Sequence, residues 1–189
     1  PAITPQSLSK KILSAPKLVT PQKMGGMTAS PEDPSCWIDL MKSASASLKD
    51  VDWSVRVSAH QIVQQILASE AAINLFSGDA DDAKLQTMLK VLEKYIYEGK
   101  LHTKFEADPK GAALTVSDLR AQLVREACKT ITSLVMALKD RSGSLLQVVL
   151  PQLFKNLVKS KKVYVDFAHG CIKSILKHCH FSLLSNILV

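Results

Sequence analysis

The chain has 189 residues, of which 47% are hydrophobic and 22% are charged, with a net charge of +7. This is the composition of an ordinary soluble protein that is long enough for one well-buried core, and an aromatic content of only 5% argues against a β-sandwich. The best candidate for a membrane span, residues 145–158, is interrupted by glutamine, proline and lysine. A spanning helix of roughly 20 apolar residues is therefore excluded.

The basic charge favours an acidic partner, such as nucleic acid, an anionic membrane or an acidic protein surface. Part of this charge lies in residues 1–32, where four lysines face a single glutamate. The segment is rich in proline, lacks apolar periodicity and does not begin with methionine. We expect a basic, extended and disordered linker, and a chain cut from a longer protein.

Residues 33–67 predict a helical hairpin. The first helix is expected to begin near Asp33 as its cap, with Pro34 in its first turn, and the second to follow the short connection Lys49 to Trp53. Small or apolar residues three and four positions apart mark both helices. They are Trp37, Leu40, Met41, Ala44 and Leu48 in the first helix, and Val55, Ser58, Ala59, Ile62, Val63, Ile66 and Leu67 in the second.

A short helix is predicted around Ala71 to Phe76, and the aspartates of residues 79–82 can cap the helix after it. Residues 99–117 then contain two glycines and a proline, so they form a long insertion. The stripe of the helix between them is Leu85, Met88, Leu89, Leu92 and Ile96.

The stretch from Thr115 to Leu138 predicts the most regular helix of the chain, with Asp118 as its cap. After a turn at residues 139–144, a helix containing Pro151 leads through the turn Ser160 to Lys162 into a last helix that ends near Cys179. Residues 181–189 resemble the start of a further repeat, with Ser182 as a possible cap.

Three strings share one skeleton of valine, a small residue three positions later and isoleucine seven positions later. They are VRVSAHQI from Val55, VREACKTI from Val124 and VDFAHGCI from Val165, at offsets of 69 and 41 residues. The second offset falls within the roughly 40 to 47 residue period of HEAT and armadillo arrays. The predicted fold is an all-α HEAT-repeat solenoid of about three helical hairpins plus the start of a fourth.

Four strings together resemble the TOG domains of the CLASP family of CLIP-associating proteins, from about residue 33 to the end of the chain. They are DWSVR at 52–56, DLRAQLVREAC at 118–128, LPQLFKNLVKSKKV at 150–163 and ILKHCH at 175–180. The resemblance implies a flat paddle of HEAT repeats, six in the family, that binds αβ-tubulin and regulates microtubules and the spindle in the cytoplasm. Three repeats and a fragment are visible here, so we expect a truncated domain.

In that family, the turns inside the repeats align along one edge, which contacts tubulin. The resemblance implies that Trp53 presses onto β-tubulin, that Arg120 lies at the second turn, and that Lys161 and Lys162 lie at the third. Tubulin is acidic, so a row of basic groups beside one aromatic anchor suits it. The implied partners are tubulin, microtubules and other microtubule-associated proteins, bound by a monomer, with no membrane and no nucleic acid.

Each of these residues also has a structural interpretation. Trp53 could equally be a core residue at the start of its helix, and Lys161 with Lys162 could be an ordinary solvated turn. Arg56 and Arg125 more often bond carboxylates or carbonyls across repeats, and Asp118 is a helix cap first. The four cysteines, which show no paired spacing, are expected to be buried free thiols in a reducing compartment: Cys36, Cys128, Cys171 and Cys179.

No phosphate-binding loop or catalytic motif stands out, so we expect a binding protein without a cofactor and not an enzyme. Potential zinc ligands crowd into residues 169–180, yet His169 and Cys171 point to different helix faces and no CxxC pair is present. The alternative function is a general HEAT scaffold whose basic surface binds nucleic acid or another protein.

Overall fold

A computed structural model describes residues 30–31, 33–78, 83–96, 115–116, 118–180, 182 and 184–185. All regular secondary structure in these ranges is helical. All of the predicted linker except Ser30 and Pro31, the capping aspartates of residues 79–82 and nearly all of the insertion at 99–117 lie outside them. The predicted fourth repeat is described only at Ser182, Leu184 and Ser185.

The helices follow the predicted order along the chain. Their bounds are α1 Trp37–Ser47, α2 Trp53–Ala68, α3 Glu70–Ser77, α4 Ala83–Ile96, α5 Ala121–Leu138, a 3-10 helix Lys139–Ser142, α6 Gly143–Leu157 and α7 Lys162–His178. Helix α6 continues through Pro151, which is an exposed residue.

The helices pack as a two-layered array. Short turns join α1 to α2 and α6 to α7 as hairpins, and the second helices of the repeats, α2, α5 and α7, pack side by side in that order. Helix α1 packs against α4, while α3 lies against α2 and α5. The protein is thus an all-α solenoid of HEAT type, as the repeat pattern predicts.

One continuous core runs through the array, and α5 shows how the sequence builds it. The predicted stripe of this helix is buried in full: Leu123, Val124, Ala127, Ile131, Leu134, Val135 and Leu138. Each large aliphatic side chain removed from water in this way contributes about 1.5–3 kcal/mol. The stripes of α1 and α4 are buried as well, except that Leu40 and Leu89 are only partly covered.

The predicted starts of two helices are wrong for the same reason. Helix α1 begins at Trp37, not near Asp33, and α5 begins at Ala121, with Arg120 and not Asp118 at the N-cap position. Each aspartate instead accepts a hydrogen bond from the backbone N–H two residues later, at 2.9 Å for Asp33 and 2.8 Å for Asp118. Each aspartate lies at least three residues before its helix, so its bond closes an Asx turn in the connecting segment and satisfies no N–H of the first helical turn.

The thiols of the four cysteines are free, but the prediction that all are buried is wrong for Cys36. This residue precedes α1 and is half-buried, whereas the other three lie in the core.

Candidate functional site

Three turns precede the three second helices of the repeats. Turn A is residues 48–52 before α2, turn B is residues 118–120 before α5, and turn C is residues 158–161 before α7. They contain or adjoin all four residues that the sequence assigns to binding.

Contacts between α2 and α5 show that turns A and B lie side by side. Near the start of α2, Arg56 Nη1 lies 3.2 Å from Oδ2 of Asp118 in turn B. Two turns further on, Gln64 Nε2 donates to the backbone carbonyl of Glu126 at 3.1 Å. The first contact joins the starts of the two helices, and the second joins positions further along both of them. The two helices therefore run in the same direction.

Turn C joins the same row. The hydroxyl of Tyr164, in the first turn of α7, donates to the backbone carbonyl of Leu119 in turn B. Just before turn C, Asn156 Nδ2 donates to the carbonyl of Val116 at 2.7 Å. Turns A, B and C therefore form one edge of the array, which we name the turn edge.

Trp53 is the first residue of α2 and is partly exposed, outside the buried core cluster. The neighbouring Asp52 caps the helix by accepting from the backbone N–H of Ser54 at 2.8 Å. The cap fixes the start of the helix and with it the position of the indole at the turn edge.

Arg120 is exposed at the N-cap position of α5, and its charge acts on Asp52 in turn A. The backbone N–H of Ser54 holds the pKa of Asp52 below its usual range, and the charges of Arg120 and Arg56 lower this pKa further. The Asp52 carboxylate thus stays ionised beside Trp53.

Lys161 and Lys162 are exposed at the start of α7. Behind them, the ammonium of Lys159 lies 4.7 Å from the ring centre of Tyr164, at the distance of a cation–π contact. Turn C is therefore the most basic part of the turn edge, with three lysines between residues 158 and 162 and no carboxylate.

The two other arginines considered in the sequence, Arg56 and Arg125, lie behind the edge. Arg56 and Asp118 form their ion pair with only 17% of each side chain exposed. Arg125 is farther along α5, where its Nε lies 3.2 Å from Oε1 of the buried Glu126 and 46% of its side chain is exposed.

Sequence reasoning missed the apolar part of the turn edge. Each turn carries one aliphatic residue that is almost fully exposed: Val51 at 95%, Leu119 at 88% and Val158 at 86%. Val51 and Leu119 both lie two residues before their helices, so an alignment of the three turns could have found the first two. The three turns thus each place one exposed aliphatic side chain on the turn edge, and we name these three residues the aliphatic strip.

The family model described as CLASP N terminal matches residues 84–188, more than half of the chain. The chain belongs to this family. The matched region contains turns B and C, together with the helices that they precede.

Individual relatives are named as CLIP-associated or CLIP-associating proteins. A CLIP-associated protein of Arabidopsis thaliana is 27% identical over 141 residues, which are 75% of this chain and 8% of the relative. CLIP-associating protein 1-B of Xenopus laevis is 26% identical over 138 residues, 72% of this chain and again 8% of the relative. The chain thus spans about a twelfth of the length of these CLASP proteins.

Two further classes of site can be assessed within the described ranges. None of the helices there is long and apolar enough to cross a membrane. No group of three or more histidine, cysteine or acidic side chains there could hold a metal ion. His169 is exposed while Cys171 is buried, so the two lie on different faces of α7.

Proposed function

We propose that the turn edge binds αβ-tubulin and that the chain is a microtubule-regulating module of CLASP type, acting at the cytoskeleton by binding and not by catalysis. Membership of the CLASP N-terminal family supports this class of function. The observation that carries the proposal is the combination found on one edge: three exposed aliphatic residues, one partly exposed tryptophan, and cations at turns B and C.

The two kinds of group have different tasks. Trp53 and the aliphatic strip gain free energy when a partner removes them from water, which makes them candidates for the contacts that slow dissociation. Arg120 and the lysines of turn C attract an acidic surface over several ångströms and speed association. An acidic partner with an apolar patch fits both.

Helix electrostatics supports a binding role for turn C. The N-terminus of an α-helix carries a partial positive charge, so Lys161 and Lys162 at the start of α7 are unfavourable to folding, and no acidic residue lies in that first turn. Residues that destabilise their own helix in this way are often retained because they have a function.

The test is size-exclusion chromatography and affinity measurement of the chain with αβ-tubulin, using charge reversals at the two ends of α7. Lys162→Glu changes turn C, while Lys177→Glu makes the same change in the last turn of α7. Lys162→Glu should weaken binding several-fold at low salt by slowing association, and Lys177→Glu should leave it near the wild-type value. Absence of any complex at low salt, or equal effects of both variants, contradicts the proposal.

The three lysines of turn C also suit a nucleic-acid phosphate backbone, which keeps the scaffold alternative open. Fluorescence anisotropy with labelled DNA and RNA distinguishes the two. Steeply salt-dependent nucleic-acid binding without tubulin binding would favour the scaffold.

A further inference from the structure

A groove of about 500 Å³ lies on the face formed by the second helices α2, α5 and α7, away from the turn edge. Its lining combines the polar or charged side chains of Gln64, Arg125, Lys129 and Asp166 with the ring of Phe167 and two cysteines. The groove belongs to none of the contacts assigned above to tubulin.

The two cysteines, Cys128 of α5 and Cys171 of α7, come from helices that pack directly on each other. Both residues line this groove beside Thr132, and their thiols are close enough for each to shift the pKa of the other. Both thiols are free and nearly buried, with exposed fractions of 5% and 2%, so they meet solvent only at the floor of the groove.

This pairing makes the two thiols chemically unequal. Hydrogen bonds from the Cys128 thiol and from Thr132 lower the pKa of Cys171. The pKa of Cys128 is raised, first by its bond to Cys171 and then by burial. Cys171 is therefore the thiol of the pair that loses its proton more readily, and the thiolate is the reactive form. The charged residues that line the same groove are Arg125, Lys129 and Asp166.

The other cysteines have different partners. Cys179 Sγ lies 3.4 Å from the hydroxyl of Ser142 and 3.6 Å from the carbonyl of Lys139. Cys36 Sγ lies 3.7 Å from a carboxylate oxygen of Asp33. Among the residues that the structure describes, these contacts are not with a second thiol.

We propose that Cys128 and Cys171 form a peroxide-sensitive dithiol, whose oxidation joins α5 to α7 through a disulfide. The Cys171 thiolate attacks one oxygen of hydrogen peroxide, gives a sulfenic acid and releases hydroxide. The hydroxide takes the proton of Cys128, whose thiolate attacks the sulfenic sulfur and displaces a second hydroxide, protonated from solvent. Two thiols and one peroxide become one disulfide and two waters, and two electrons pass from sulfur to oxygen.

The location restricts which oxidant reacts and what the bond does. The groove that both cysteines line is large enough to hold hydrogen peroxide, whereas the burial of the two side chains excludes a protein disulfide. The cross-link would fix α5 against α7 and so hold turn B at a constant distance from turn C. This proposal stands whether or not the turn edge binds tubulin.

The test treats the whole folded chain with hydrogen peroxide, blocks the remaining thiols with iodoacetamide in denaturant, and maps the peptides by mass spectrometry. We expect one intramolecular link between Cys128 and Cys171, reversed by dithiothreitol. Cys179→Ser should retain the link, and Cys128→Ser and Cys171→Ser should each abolish it.

Recovery of both residues as alkylated thiols, or a link from either one to Cys179 instead, overturns the proposal. Oxidation of Cys171 to a sulfinic acid with Cys128 untouched also overturns it, because the second thiol then does not resolve the first. The wild-type map decides these outcomes even if a serine variant does not fold.

Discussion

His60 is a fully buried histidine whose two ring nitrogens both have partners. Nδ1 lies 2.7 Å from the hydroxyl of Tyr95, and Nε2 lies 2.9 Å from the hydroxyl of Thr115. Burial, and then the positive charge of Arg56 one turn earlier, lowers the pKa of His60 from 6.5 to about 3. The ring is therefore neutral in the folded protein at pH 7, and its hydrogen bonds tie α2 to α4 and to Thr115.

This histidine makes stability depend on pH. Because its pKa is depressed on folding, the unfolded chain binds one more proton between pH 6.5 and about 3, so its contribution is complete above 6.5 and is lost as pH falls. We expect about 1.4 kcal/mol lost per pH unit well inside that window. Denaturant unfolding of His60→Gln should show a shallower pH slope, while His169→Gln, at an exposed position, should keep the wild-type slope. An unchanged slope in His60→Gln would falsify the account of this group.

The two tryptophans offer a matched pair of substitutions. Trp37 is 1% exposed, and its Nε1 donates to the carbonyl of Pro31 at 2.7 Å, whereas Trp53 is partly exposed at the turn edge. Trp37→Ala should lower the free energy of unfolding by about 3–5 kcal/mol. Trp53→Ala should cost about 1 kcal/mol of stability or less, yet weaken tubulin binding by about 2 kcal/mol, roughly 30-fold. A large fall in melting temperature for Trp53→Ala would make it a core residue.

At the scale of a helix, the first turn of α7 carries positive charge that favours binding over folding, because no acidic residue lies there. Lys162→Glu places a carboxylate next to the positive end of the helix dipole, so we expect the free energy of unfolding to rise by about 0.3–1 kcal/mol. The same variant should bind tubulin more weakly. If Lys162→Glu raises the stability measured by thermal unfolding and lowers the affinity for tubulin, Lys162 serves binding at the expense of stability. If the variant lowers both the stability and the affinity, Lys162 stabilises the fold.

The elements differ in how far the sequence predicts them. The stripe of α5 was predictable because its seven positions follow the helical period, and each of them is buried. The starts of α1 and α5 were not, because an aspartate before a helix is the same in sequence whether it caps the helix or closes an Asx turn. The hydrogen bonds of His60 join residues that are 35 and 55 positions apart in the chain. A local sequence pattern cannot predict such long-range contacts.

The candidate site shows the same division. The basic residues and Trp53 could be proposed from motif strings, since charge and an aromatic ring are visible in a sequence. Val51, Leu119 and Val158 could not, because an aliphatic residue is expected inside a protein unless its exposure is known. Only the packing of α2, α5 and α7 shows that the three lie on one edge.

At the scale of the whole molecule, the second helices pack in the order α2, α5 and α7, so the alignment of the turn edge depends on a few bonds between adjacent second helices. The ion pair of Arg56 with Asp118 joins turns A and B, and the Tyr164 hydroxyl joins turns B and C. The binding surface is thus a property of the stacked array and not of any one repeat.

The central claim is that this aligned edge binds tubulin, and the aliphatic strip tests it most directly. One variant replaces Val51, Leu119 and Val158 with serine. Its control replaces Ile73, Met136 and Leu176 with serine. These three apolar residues lie away from the turns and are 51%, 51% and 62% exposed. Affinity for αβ-tubulin is then measured for both folded variants. The edge variant should lose about 3 kcal/mol, roughly 100-fold, while the control stays within about threefold of the wild type. Tubulin binding by the edge variant at wild-type affinity, or equal losses in both, would contradict the claim.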